Sequence, residues 1–254
     1  MKRQGIFLVL VMLMLLVGRG GFAQIAADEA LSKFVEAGMA YQNEDYDTAI
    51  KKYEEILRGG RESGAVYYNL GNSYFRKGDL GRTVLNYERA MRLIPRDSDL
   101  KFNDRYLRAR INAYDGGKAQ SFLSQAIGDF VGFYTKDEMA LIIAVLVLIL
   151  AALFLLSLYR NWPKMRFYGI GTVLLVLILA YSLGLAMKVK QNAGLAVVVT
   201  ATDALFEPRA DSTVHFKLSP GAKATILIRE GDWMKIRRLD GKVGWTPGKT
   251  LEEI

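Results

Sequence analysis

The sequence predicts a multidomain membrane protein: an all-α domain, a two-helix transmembrane hairpin and a small all-β barrel. Three observations carry that expectation. Two apolar runs, Met139–Tyr159 and Phe167–Met187, contain no Asp, Glu, Lys or Arg. Ahead of them, residues 45–57 and 79–91 align at an offset of 34. Past Lys190 the apolar period changes from that of a helix to that of a strand.

At about 1.5 Å per residue each apolar run (139–159 and 167–187) spans about 30 Å, the hydrocarbon thickness of a bilayer. The loop between them, 160–166, carries Arg160, Lys164 and Arg166 and no acid, which assigns it to the cytoplasm. The segments before and after the hairpin then share the exported side, a periplasm. Tyr159, Trp162, Phe167 and Tyr168 fit the interfacial aromatic belt. Export is also written at the start of the chain. Residues 1–23 read as a signal peptide, with Lys2 and Arg3, the short apolar core Ile6–Val17, and small residues at Gly21 and Ala23. Cleavage leaves Gln24 first; Arg19 departs from the usual pattern, and an uncleaved anchor is the alternative.

The net charge of +8 does not mark a nucleic-acid surface. Residues 24–137 carry 17 basic and 17 acidic side chains, and residues 195–254 carry nine and eight. The excess sits at Lys2, Arg3, Arg19, Arg160, Lys164, Arg166, Lys188 and Lys190, which flank apolar segments. With no Cys and one His, disulfides, thiol chemistry and Cys/His zinc sites are excluded, and no cofactor is expected.

The repeat lies within residues 24–114. Asp45/Asp79, Ala49/Thr83, Ile50/Val84, Tyr53/Tyr87, Ile56/Ala90 and Leu57/Met91 match, and in each copy the apolar positions line one helix face. Before the second copy, Tyr67, Leu70, Gly71 and Tyr74 line another helix that Gly78 ends. Helix–turn–helix units at this period resemble tetratricopeptide repeats, over about 31–64 and 65–97, with Pro95 closing the second. The first copy is degenerate, with Lys33 at the aromatic position. Leu100, Leu107 and Ile111, with Phe102 and Tyr106, suggest a capping helix over 98–114. The resemblance implies that Phe34, Tyr41, Gln42, Tyr68, Asn72, Phe75 and Arg76 face the concave side, where peptides bind. Asn72 and Arg76, one turn apart, suit a backbone amide or a carboxylate. The competing reading is a solvated face.

Residues 115–138 read as a hinge at Asp115-Gly116-Gly117 and an interfacial segment. Phe122, Leu123, Ile127, Phe130, Val131, Phe133 and Tyr134 are expected to lie on the bilayer surface.

Residues 195–254 form the β domain. Val214, Phe216 and Leu218, then Ala224, Ile226 and Ile228, then Met234 and Ile236 alternate with other residues. Ser219-Pro220-Gly221, Glu230-Gly231-Asp232 and Asp240-Gly241 mark turns, the last as a two-residue hairpin. Five short strands and a partly open barrel are expected. Gly231-Asp232-Trp233 and Gly244-Trp245 make the segment similar to bacterial SH3-like domains, although Ala204–Arg209 replaces the usual Asn-x-Arg-x-Gly-Pro. Phe206, Trp233 and Trp245 could line a groove for proline-rich or peptidoglycan-stem peptides, or serve as half-buried packing. His215 is expected to be a surface residue with no partner.

No phosphate loop, Gly-x-Ser-x-Gly or metal-ligand spacing occurs, and Glu54-Glu55 and Glu252-Glu253 read as exposed acids. An enzyme is not expected. The whole order of parts resembles the BatE proteins of the aerotolerance (Bat) operon. That resemblance implies an inner-membrane scaffold whose protein partners are sister Bat proteins with von Willebrand-type domains, in envelope or stress tolerance. Besides the lipid bilayer, peptidoglycan is the alternative partner, with the chain as a wall-binding anchor or sensor. Nucleic acid is not expected.

Overall fold

The structure, a computed structural model, describes residues 29–110, 122–159 and 164–254. The signal peptide 1–23, the hinge at Asp115-Gly116-Gly117 and residues 160–163 lie outside the described residues. The chain divides into two compact units, with the boundary between Asp79 and Leu80.

The first unit holds α1 (29–42), α2 (Tyr46–Arg58) and α3 (Gly64–Arg76). The Asp45 carboxylate accepts the Thr48 N–H at 3.1 Å, which caps the start of α2. Gly59 and Gly60 end it, Gly60 at a φ of +75° that glycine adopts without strain. Ala37, Ala49, Tyr53, Ile56, Val66 and Leu70 form one core, and the two fully buried alanines let the helices approach closely. Each buried Ile or Leu stabilises this packing by about 1.5–3 kcal/mol. The Tyr74 hydroxyl donates to Glu54 at 2.6 Å, and Lys52 meets Glu36 at 2.5 Å.

In the second unit, α4 (Leu80–Leu93) begins 34 residues after α2, at Leu80 against Tyr46. Pro95 stops it, and Asp97 caps α5 (Ser98–Arg110) by accepting the Leu100 N–H at 2.8 Å. Leu100 and Leu107 are fully buried. Phe102 and Tyr106, expected to help cap the helices, are instead exposed, because they lie on the opposite side of α5 from that pair.

A short helix, α6 (Phe122–Phe133), precedes α7 (Lys136–Tyr159) and α8 (Lys164–Asn192). Within α7 and α8, 136–154 and 168–190 are long and apolar enough to cross a bilayer, with only 6% of each 18-residue window buried. Both helices outrun their uncharged runs. At Thr135-x-x-Glu138 a capping box starts α7: the Glu138 N–H donates to Thr135 Oγ1 at 3.1 Å, and the Thr135 N–H donates to Glu138 at 2.9 Å. Lys164–Arg166, expected in the cytoplasmic loop, belong to the first turn of α8. Backbone hydrogen bonding continues past the apolar boundary, since charged residues are good helix formers.

The β domain has seven strands rather than five: β1 (Leu195–Val198), β2 (Thr202–Leu205), β3 (Val214–Leu218), β4 (Lys223–Glu230), β5 (Trp233–Arg238), β6 (Val243–Pro247) and β7 (Leu251–Glu253). They pair antiparallel in the order β3-β2-β6-β5-β4-β1-β7. Phe216 and Leu218 from one edge strand and Leu251 from the other share a single core with Ala196, Ala224 and Ile236, so the sheet curls round on itself. A register shift between Ile226 and Ile228 turns Ile228 outward, contrary to the alternation expected through β4. At Asp240-Gly241 the chain turns through three residues, 239–241. The Arg238 N–H donates to the Lys242 carbonyl, and Gly241 has a φ of +90°.

Helix α4 lies directly against β1. A Cβ at Gly81 would sit 2.4 Å from the Val199 carbonyl oxygen and 2.7 Å from its Cα. Gly81→Ala gains up to about 1 kcal/mol of helix propensity but collides with backbone, a cost of about 1–3 kcal/mol. The expected outcome is a net loss of stability and faster proteolysis of the β domain, read by urea unfolding and limited digestion. Stabilisation would refute the close approach.

Candidate functional site

Two surfaces are candidates for holding a partner, and a third is a contact of the chain with itself. The first is in the helical unit. On α3, Tyr68, Asn72 and Phe75 are half-buried and Arg76 is exposed, on neighbouring turns of one face. The Arg76 guanidinium lies 5.1 Å from the centre of the Tyr46 ring and 3.7 Å from Glu44. Tyr46 in turn meets Tyr41 edge-on at 5.4 Å, so Tyr41 supports the ring that Arg76 covers. Gln42 is exposed. Phe34 differs: it packs edge-on against the buried Tyr53 at 5.7 Å and belongs to the core. The packing positions Tyr67, Leu70, Gly71, Tyr87 and Ala90 are buried, while Tyr74 is half-buried.

The second surface is on the barrel. Lys235 pairs with Trp245 across β5 and β6, and Trp233 stands two residues along, so the three share one face. The Lys235 ammonium sits 5.5 Å over the Trp245 ring. Trp245 itself is only 8% exposed, which leaves it as packing rather than the wall of an open groove. Trp233 is half-buried. Phe206, at 57% exposure, stacks on His215 at 4.4 Å, and His215 Nδ1 lies 3.0 Å from the Val243 carbonyl oxygen. His215 therefore has partners on other strands and loops, which a strand alternation could not reveal.

The third surface is occupied by the chain itself and was not foreseen. Along α4, Glu88 meets Lys223 of β4 at 2.6 Å and also Arg108 of α5. Arg89 donates to the Glu253 main-chain oxygen at 2.6 Å, and Arg92 to that of Ile254. Arg82 and Arg89 each lie 3.9 Å from the Glu252 carboxylate. The acids at 252 and 253, expected to be a solvated tail, sit in strand β7. Beyond Pro95, Arg96 forks onto Glu138 at 2.5 and 3.0 Å, joining the helices to the start of α7. The signals available were Gly81 inside a helix and the acidic pair, and neither names its counterpart.

Among the described residues no group of three or more His, Cys, Asp or Glu is arranged to hold a metal ion.

Outside the apolar spans, the Asp240 carboxyl is strongly perturbed. Asp240 accepts from the Arg238 guanidinium at 3.0 and 2.5 Å and from the Lys242 N–H at 3.1 Å, and Arg238 above all lowers its pKa to about 2. Because the folded value lies below the ordinary carboxylate value, its contribution is full above about pH 4 and is lost as pH falls through about 2. Asp240→Asn is expected to destabilise the barrel at pH 6, with the difference from wild type shrinking as pH falls toward 2 and vanishing below it in thermal unfolding. A pH-independent difference would reject this role.

No protein-family model matches the chain and no curated protein matches it, so the reading of these surfaces rests on their own geometry.

Proposed function

We propose that the protein is a membrane-anchored scaffold that holds protein partners on the exported side of a bacterial inner membrane. In this reading α7 and α8 are the anchor, the 160–166 loop is cytoplasmic, and both the helical repeats and the barrel are periplasmic. The observation that carries it is the pair of apolar helices, almost wholly unburied, with folded domains attached at both outer ends. Bulk water would not tolerate that apolar surface, and lipid satisfies it. The 34-residue offset of α2 and α4 supports tetratricopeptide repeats, and the curled seven-stranded sheet supports an SH3-like barrel. Repeats of this kind bind extended peptides, and the α3 face with Arg76 at its end suits a peptide bearing an acidic group. The partners are then sister proteins of a Bat-type envelope complex.

A second reading keeps the anchor and gives the barrel a peptidoglycan ligand. Phe206, exposed and stacked on His215, is the observation that favours it.

Reporter fusions after Lys164 and at Ile254 are expected to behave as cytoplasmic and exported, respectively, and the reverse pattern overturns the orientation. Crosslinking with mass spectrometry from native membranes is expected to identify protein partners whose yield drops about tenfold in a Tyr68→Ala, Arg76→Ala double variant. Unchanged yields for every partner reject the α3 face. Retention of the full-length protein on purified peptidoglycan, lost in Phe206→Ala, would favour the second reading.

A further inference from the structure

We propose that α6 is a third membrane element, sunk into the exported leaflet beside α8 and latched there by Lys188. This rests on the membrane reading of α7 and α8 and adds to it. The argument is one of depth. The Phe130 and Tyr134 rings meet Tyr181 at 5.5 and 6.0 Å. Tyr181 lies six residues inside Met187, where the uncharged run ends, about 9 Å along the helix. Gly184 stands one turn nearer the end, with Val131 and Met139 packed over it: a Cβ there would be 3.7 and 2.8 Å from their side chains. The last turns of α6 therefore run alongside the outer part of a segment that spans lipid. They do not rest above it, as the sequence suggests.

Two further observations fit that position. Ile127, Phe130 and Phe133 are 42, 42 and 48% exposed, and α8 exposes Leu183 and Met187 at the same depth. The occupant of these exposed apolar side chains is the acyl region of the same leaflet. Asp129, the single charged residue of α6, is exposed and about 100° round the helix from Phe130, where a short side chain can reach headgroups.

The second observation is Lys188, which is buried although it lies one residue past the uncharged run that ends at Met187. Its ammonium donates to the Val131 carbonyl at 2.9 Å and to the Tyr134 carbonyl. In lipid an ammonium without acceptors is costly, and so are the unpaired carbonyls at the end of a helix. Each need meets the other. Lys188 thus does not reach out to water; it fixes the end of α6 against α8.

The chain has no cysteine, so single substitutions give unique labels. Full-length protein carrying an environment-sensitive fluorophore at Ile127→Cys, Phe133→Cys, Leu179→Cys or Lys217→Cys is reconstituted in phosphatidylcholine vesicles with and without acyl-chain bromine. Brominated lipid is expected to quench the 127, 133 and 179 labels by about twofold or more and to leave 217 unchanged. If 179 is quenched while 127 and 133 behave like 217, α6 is not in the leaflet and the proposal fails while the spans stand. If 179 is also unquenched, the membrane reading fails and takes the proposal with it. Adding Lys188→Met is expected to reduce quenching at 127 and to preserve it at 179. Undiminished quenching at 127 would overturn the latch.

Discussion

The larger unit depends on one helix. Along α4 the chain meets, in order, the backbone of Val199 at Gly81, β4 at Glu88, the end of β7 at Arg89 and Arg92, and, just past its end, α7 at Arg96. Barrel, helices and hairpin are separate in sequence and would otherwise be joined only by connecting segments. The fit at Gly81 sets how near α4 comes to the backbone at Val199. Most of the ion pairs are half-exposed, each contributing about 0–1 kcal/mol. They select the orientation, while burial and the absence of a side chain at Gly81 permit it.

The contacts along α4 also cover one edge of the sheet. Strand β7 is a sheet edge, and an open edge invites pairing with another chain. Here arginines of α4 take up main-chain oxygens at its end. The aromatic surface of the barrel is left open elsewhere, at Phe206 and His215. In the helical unit, packing uses Phe34 and Tyr53, and α3 presents Arg76 at the end of a half-buried face.

How much was legible in the sequence varied with the range of the interaction. The spans, α2, α3, α4 and most strands follow from local periodicity, because burial on one face repeats at the pitch of a helix or pleat. The bulge in β4, the three-residue turn at Asp240 and the outward Phe102 and Tyr106 were not legible. Each depends on which neighbour lies opposite, and periodicity cannot name a neighbour. The same limit governed the candidate site. That Tyr68, Asn72 and Arg76 share one face of α3 was legible because the helix pitch alone sets it. The partners of His215 and the burial of Trp245 come from strands that meet only in the folded sheet.

By itself the sequence determined which segments are helical, which two are long and apolar enough to cross a bilayer and which form strands, together with the charges that flank the apolar runs. Those features reside in composition and short-range pattern, which any compact arrangement must respect. Only the tertiary structure decided that α4 carries the barrel, that Arg96 joins it to α7, and that Lys188 holds the end of α6. Those contacts link residues tens to more than a hundred positions apart, and their geometry exists only once the chain has closed on itself.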